Sequence, residues 1–208
     1  MNVLLVVDIQ NDFLQGGALA VKDGEEILPV VNKLLLLPFN LILASKDWHP
    51  QNHGSFAENQ HRKPGDHIML GKVDQVLWPV HCVQNTKGSE FSPSVNSLKF
   101  HGIFYKGTES SIDSYSAFFD NDHNNSTGMS EFLKEFKVAN IFIAGLTTDY
   151  CVKYTALDAL KLGYQTYVIV DACKAVNLME GDEQKALAEM NTAGVNLIHS
   201  KDLKKILK

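Results

Sequence analysis

Ile141-Phe142-Ile143-Ala144-Gly145-Leu146-Thr147-Thr148-Asp149-Tyr150-Cys151-Val152 is the stretch whose reading decides the fold. It opens with a short apolar run rich in branched side chains, the pattern of a strand covered on both faces. Thr148 and Asp149 are N-cap residue types. After Cys151, the residues Val152, Thr155, Ala156, Ala159 and Leu160 recur at three- and four-residue spacing until Gly163. A buried strand thus breaks into an amphipathic helix, with Cys151 in the helix's first turn. Unpaired backbone N–H groups and the positive end of the helix dipole favour a thiolate there. A buried cysteine by itself is more often inert core filler, so its neighbours in space decide what it does.

Outward from this stretch, the chain alternates apolar strands with amphipathic helices. Strands are expected over residues 2–7, 40–45, 103–106, 139–145, 165–170 and 195–199, and helices over 24–37, 129–136, 149–162, 182–193 and 201–207. Such alternation predicts a layered α/β fold with a mainly parallel sheet. Residues 48–100 are the exception. This stretch is polar, holds four prolines and five of the eight histidines, and shows no sustained period. A loop of that length inside a compact domain is usually functional.

A chain of 208 residues suits one domain with a sizeable core. A net charge of −5 without a Lys/Arg cluster argues against nucleic acid and anionic membranes as partners. Asp8 ends the opening apolar run too early for a signal sequence or a membrane span. Cys82, Cys151 and Cys173 cannot all pair and show no CxxC spacing, so a reducing, cytoplasmic setting is expected. A homo-oligomer is left open.

In an open α/β sheet, ligands bind beyond the carboxyl ends of the strands. Four such ends carry chemistry here: Asp8, Asp47-Trp48-His49, Lys106 and the Cys151 turn. Taken singly, Asp8 is equally a turn cap and Lys106 a surface ion-pair partner; convergence of all four on one rim points to a site. Asp47, His49 and His53, with His81 from the far end of the long loop, have the chemistry of a divalent metal site. One carboxylate and three imidazoles suit zinc, iron or manganese. His61, His67, His101, His123 and His199 lack comparable company and read as ordinary solvated or capping histidines.

Five blocks in order now carry a resemblance: Asp8-Ile9-Gln10-Asn11-Asp12-Phe13, Lys46-Asp47-Trp48-His49-Pro50-Gln51-Asn52-His53, Trp78-Pro79-Val80-His81-Cys82-Val83, Tyr105-Lys106-Gly107 and Gly145 to Val152. Together they resemble the nicotinamidase/pyrazinamidase family of isochorismatase-like cysteine hydrolases, over nearly the whole chain. The resemblance implies a single domain over 1–208, a three-layer α/β/α sandwich around a mainly parallel six-stranded sheet, with a metal-binding loop region at about 47–100. It implies a catalytic triad of Asp8, Lys106 and Cys151, and a metal held by Asp47, His49, His53 and His81. It further implies a cis peptide bond between Leu146 and Thr147, and an oxyanion hole made by the backbone N–H groups of Thr147 and Cys151. Phe13, Trp78 and Tyr115 match the family's ring-binding aromatics, with Tyr150 beside them. The implied activity is hydrolysis of nicotinamide, or of pyrazinamide, to the acid and ammonia, a step of NAD salvage. Thr147 departs from the family pattern, where alanine is usual.

Two alternatives stay open at this stage. One is a related cysteine hydrolase acting on another small amide or an enol ether such as isochorismate, against which the metal cluster argues. The other is a non-catalytic metal-binding relative, against which the full set of residue types argues.

Overall fold

The computed structural model describes residues 1–207. Its frame is a six-stranded, wholly parallel sheet built from β1 (Asn2–Val7), β2 (Leu41–Asp47), β5 (Gly102–Lys106), β6 (Asn140–Leu146), β7 (Gln165–Lys174) and β8 (Asn196–Ile198), in the order β5-β2-β1-β6-β7-β8. Both faces of the sheet are covered, which explains the nearly unbroken apolar runs of its central strands. Leu4 and Val6 of β1, with Phe142 and Ala144 of β6, face a core that includes Val31 and Leu34 of helix α1 (Leu28–Leu34) and Leu203 of α5 (Leu203–Ile206). Val3, Leu5 and Val7, with Ile141 and Ile143, face the other core. That core is closed by α2 (Met129–Lys134), α3 (Lys153–Lys161) and α4 (Asp182–Ala193) through Met129, Leu133, Ala156, Ala159 and Met190. Strict alternation along each strand therefore builds three layers.

Chain order reverses between β1 and β6, which pair in register from Asn2↔Asn140 to Val7↔Gly145. A crevice opens beyond the carboxyl ends of such a pair. Gly145 lets the two strands approach there: its φ is +130°, and a Cβ would collide with the backbone of Val7.

Several boundaries differ from the sequence expectation, each for a local reason. The helix expected over 24–37 is a 3₁₀ turn (Gly24–Ile27) running into α1, whose first turn holds Pro29. β7 runs past residue 170 to Lys174, because its pairing with β6 shifts register between Ile143 and Gly145 and then resumes at Gly145↔Cys173. Inside the long loop, residues thought aperiodic form an antiparallel hairpin of β3 (His67–Leu70) and β4 (Val73–Val76). Each arm has only four residues, and β3 alternates between exposed and half-buried positions, too weak a pattern to read from sequence. Among the described residues, no helix is long and apolar enough to cross a membrane.

Candidate active site and metal centre

Asp8 leaves β1 with a left-handed backbone (φ 49°), Asp47 ends β2, Lys106 ends β5, and Cys151 follows β6. Asp47 and Lys106 are direct register partners across β2 and β5. Sheet geometry alone therefore sets a carboxylate beside an ammonium. Lys106 Nζ lies 2.9 Å from Asp8 Oδ2, ion-pairs with Asp47 Oδ1, and donates to the carbonyl of Ser114 at 3.0 Å and to Cys151 Sγ at 3.3 Å. Acidic oxygens of Asp8 and Asp47 and the sulfur of Cys151 all lie within 4.8 Å of one another. That group has the composition of a metal site, but the ammonium of Lys106 already serves as its cation.

The two carboxylates are driven apart electrostatically. Burial raises Asp8, the repulsion of Asp47 adds to it, and Lys106 only partly offsets them. Burial acts on Asp47 too, but Lys106 and His49 outweigh it and hold the carboxyl well below the usual range. Acids pushed in opposite directions are the pattern that lets one carry a proton while the other stays ionised. Cys151 meets opposing influences: burial pushes its thiol well up, and Lys106 offsets only part of this. It sits in a π-helical turn (Thr148–Val152) ahead of α3, a local widening common at functional sites. Thr148 and Asp149 donate no cap to this turn. Instead Asp149 accepts hydrogen bonds from the N–H groups of Val176 and Asn177, at 3.0 and 2.8 Å, tying the loop after β7 to the cysteine turn. The Leu146–Thr147 peptide is cis.

Two imidazoles stand on the other side of Asp47, those of His49 and His81, and a third, His53, packs against His49. His49 Nδ1 donates to Gly107 O at 2.9 Å and His81 Nδ1 donates to Pro79 O at 2.8 Å, so in the neutral ring the lone pair falls on Nε2. Those Nε2 atoms stand 3.7 and 3.6 Å from Asp47 Oδ2. Ligands of one divalent ion at about 2.0–2.2 Å stand roughly 3–3.5 Å apart, so the spacing fits a shared cation. Gly107 is required beside His49: its φ is +63°, and a Cβ would collide with the imidazole. His53 is held through Nδ1 at 2.7 Å from Ser55 Oγ, while its buried Nε2 has no partner. Burial pushes its pKa down to about 4, which favours the neutral ring, and Ser55 N donates to its Nδ1 at 3.2 Å. The four expected ligands do not close as one set, however. Asp47, His49 and His81 form one group, and His49, His53 and Asp113 form a second.

Asp47, His49, His81 and Cys151 line one pocket, partly open to solvent, with Phe13, Trp78, Tyr115, Thr147 and Tyr150 in its wall. The Trp78 and Tyr150 rings meet edge to face at 4.8 Å, and Trp78 Nε1 donates to the Tyr115 hydroxyl at 3.2 Å. Phe13 packs edge-on against His81.

Some supporting residues escaped the sequence reading. Gln10 donates to the carbonyl of Asp47 and accepts from its N–H, both at 2.8 Å; Ser45 Oγ donates to Asp8 Oδ1 at 2.7 Å; Asp12 accepts from Cys82 N at 2.7 Å beside His81. Gln10 and Asp12 stood in the first motif block, where membership was the only signal. Asp113 and Gln75 had none. His67 and His123 pair with Asp74 and Asp158, and His101 accepts from Ile42 N, all apart from this pocket.

Residues 51–202 match the isochorismatase domain. The chain belongs to the isochorismatase family. A nicotinamidase of Acinetobacter baylyi is 45% identical over 96% of this chain and 93% of that protein. A solved Acinetobacter baumanii nicotinamidase/pyrazinamidase superposes with a TM-score of 0.93 at 44% identity, covering 97% of each chain. A Pyrococcus horikoshii pyrazinamidase solved in complex with zinc is 36% identical, with a TM-score of 0.76 over 95% of this chain and 98% of that one. These isochorismatase-like hydrolases share the three-layer fold described above.

Proposed function

We propose that this chain is an amidohydrolase converting nicotinamide, and pyrazinamide, to the carboxylic acid and ammonia, and that residues 1–208 act as one domain with its metal-binding loop at about 47–100. The observation that carries this reading is the two-sided pocket. One side presents Cys151 with Asp8 and Lys106, the other presents free imidazole nitrogens around Asp47, and aromatic rings lie between.

An amide carbonyl is a poor electrophile, so its hydrolysis needs a strong nucleophile, a stabilised oxyanion and a proton for the departing nitrogen. Asp8 takes the proton of Cys151 as Sγ attacks the carboxamide carbon, which answers the raised pKa of the buried thiol. The backbone N–H groups of Thr147 and Cys151 receive the developing oxyanion, worth about 3 kcal/mol per donor. Asp8 then passes its proton to the amide nitrogen, ammonia leaves, and a thioester on Cys151 remains. Asp8 next deprotonates a water that attacks the thioester; the acid departs and the thiol is restored. Lys106 holds Asp8 and keeps negative charge tolerable among two carboxylates and sulfur. Phe13, Trp78, Tyr115 and Tyr150 hold the ring plane. Asp47, His49 and His81, with His53 beside them, would hold a divalent ion, zinc or else iron or manganese, which when bound orients the substrate through its ring nitrogen.

Cys82, Cys151 and Cys173 are all free. A nucleophilic thiol that must stay reduced fits a cytoplasmic enzyme of NAD salvage. Ammonia release from nicotinamide, pyrazinamide, benzamide and an aliphatic amide tests the proposal. Turnover of the two ring-nitrogen amides well above benzamide is expected; no turnover of any, with ion bound and Cys151 reduced, would sink it.

A further inference from the structure

Of the two carboxylates in the pocket wall, Asp47 and Asp113, only the first has a task so far. Asp113 is 3% exposed. Among the described residues, no lysine or arginine lies within ion-pair distance of it. A buried carboxylate without a counter-cation is costly, and what faces Asp113 is the pair of His49 and His53, with one donor atom from each of the three within 4.8 Å of the others. The Nε2 of His53 in that group is buried and unpartnered. Two anomalies thus meet in one place: a buried carboxylate with no lysine or arginine in ion-pair contact and a buried ring nitrogen with no hydrogen-bond partner. His49 belongs both to this group and to the group with Asp47 and His81, so the two groups adjoin.

We infer that Asp113 is a further carboxylate of the metal centre, forming its outer half together with His53 and facing the ion directly or through one bound water. This rests on the reading of Asp47, His49 and His81 as the ion's holders. Two carboxylates balance a divalent charge that one leaves half neutralised, and a second hard oxygen donor raises affinity for manganese or iron(II) relative to a purely nitrogen-rich site. Gln75, on β4, is the positioning residue. It is fully buried, and its Nε2 donates to Asp113 Oδ2 at 3.0 Å and lies 2.9 Å from the Tyr115 hydroxyl, while Ser114 N donates to Asp113 Oδ1 at 2.7 Å. The hairpin in the long loop thereby orients one carboxylate of the ion site and one ring of the pocket wall through a single side chain.

The test measures metal binding rather than turnover. Purified full-length wild type and Asp113→Asn are titrated with Mn²⁺ and with Zn²⁺ against a chromophoric chelator, with thermal melting of each apo-protein as the check on folding. Asp113→Asn is expected to weaken Mn²⁺ binding by about 10–100-fold, and Zn²⁺ binding by less, at an apo melting temperature no lower than that of wild type. Equal dissociation constants in wild type and a folded Asp113→Asn overturn this inference while leaving the ion assignment intact. A wild type that binds neither ion overturns both. If Asp113→Asn does not fold, a crystal structure of Mn²⁺-loaded wild type decides. A carboxylate oxygen of Asp113 within about 5 Å of the ion, the reach of a direct bond or of one bridging water, supports the inference; a longer separation overturns it.

Discussion

The strand ends and the long loop both supply the pocket, but they do so by different physics. Asp8, Asp47 and Lys106 are placed by the sheet: β1, β2 and β5 are hydrogen-bonded in fixed register, so their terminal side chains meet because the strands do. His53, Trp78 and His81 sit on residues 48–100, whose regular structure is a hairpin with four residues per arm and two short 3₁₀ turns (Glu58–Gln60 and Ser97–Lys99), and which are otherwise held by individual contacts. Trp78 N donates to Ser55 O at 2.8 Å, His49 N to Cys82 O at 3.0 Å, and Asp12 reaches across to Cys82 N. On the proposed function, the reaction chemistry stands on the sheet-held part and ring and ion recognition mostly on the stitched part. Damage to the first should stop turnover; damage to the second should weaken binding.

The largest effect expected is from Cys151→Ala, which should lower turnover by at least about a thousandfold, the scale of losing a nucleophile, yet still bind nicotinate and a metal ion by calorimetry. Loss of binding along with turnover would break the division. Next, Lys106→Met leaves Asp8 and Asp47 facing each other without their shared cation, and should cost roughly 3–5 kcal/mol in chemical denaturation besides activity. A stability within 1 kcal/mol of wild type would show that the ion pairs contribute little.

On the loop side, chelator treatment should raise KM and be reversed by added metal. His81→Ala should empty the site more completely than His53→Ala, since His81 shares a donor group with Asp47 and His53 does not. Equal metal content in wild type and both variants would remove the ion assignment. The pH profile sharpens the strand-end half: Asp8 accepts the thiol proton only when ionised, so kcat/KM must rise with pH through the pKa of Asp8. Because burial raises that pKa, the rising limb should lie above the ordinary aspartate value of 3.8 at saturating metal; a limb at or below it contradicts Asp8 as the base. The smallest effect is that of Trp78→Phe, which keeps an aromatic wall but drops the donor to Tyr115. A rise in KM worth about 1 kcal/mol, with kcat unchanged, is expected from steady-state kinetics.

The sequence by itself determined the alternation of strands and helices, the covered parallel sheet, and the gathering at strand ends of Asp8, Asp47, Lys106 and the Cys151 turn. These follow from periodicity and chain order, which are local properties, and from the rule that strand carboxyl ends share one rim. The histidine cluster was legible because metal-binding residue types are rare enough to stand out in a polar loop. Tertiary structure alone decided that Lys106 bridges both carboxylates, that burial raises the pKa of the thiol, that Gln10 clamps Asp47, and that Gln75 and Asp113 back the imidazoles. Each of those depends on which atoms lie within about 3 Å across tens of residues of chain, and on how completely water is excluded around them. Neither quantity has any period or spacing in the sequence to betray it.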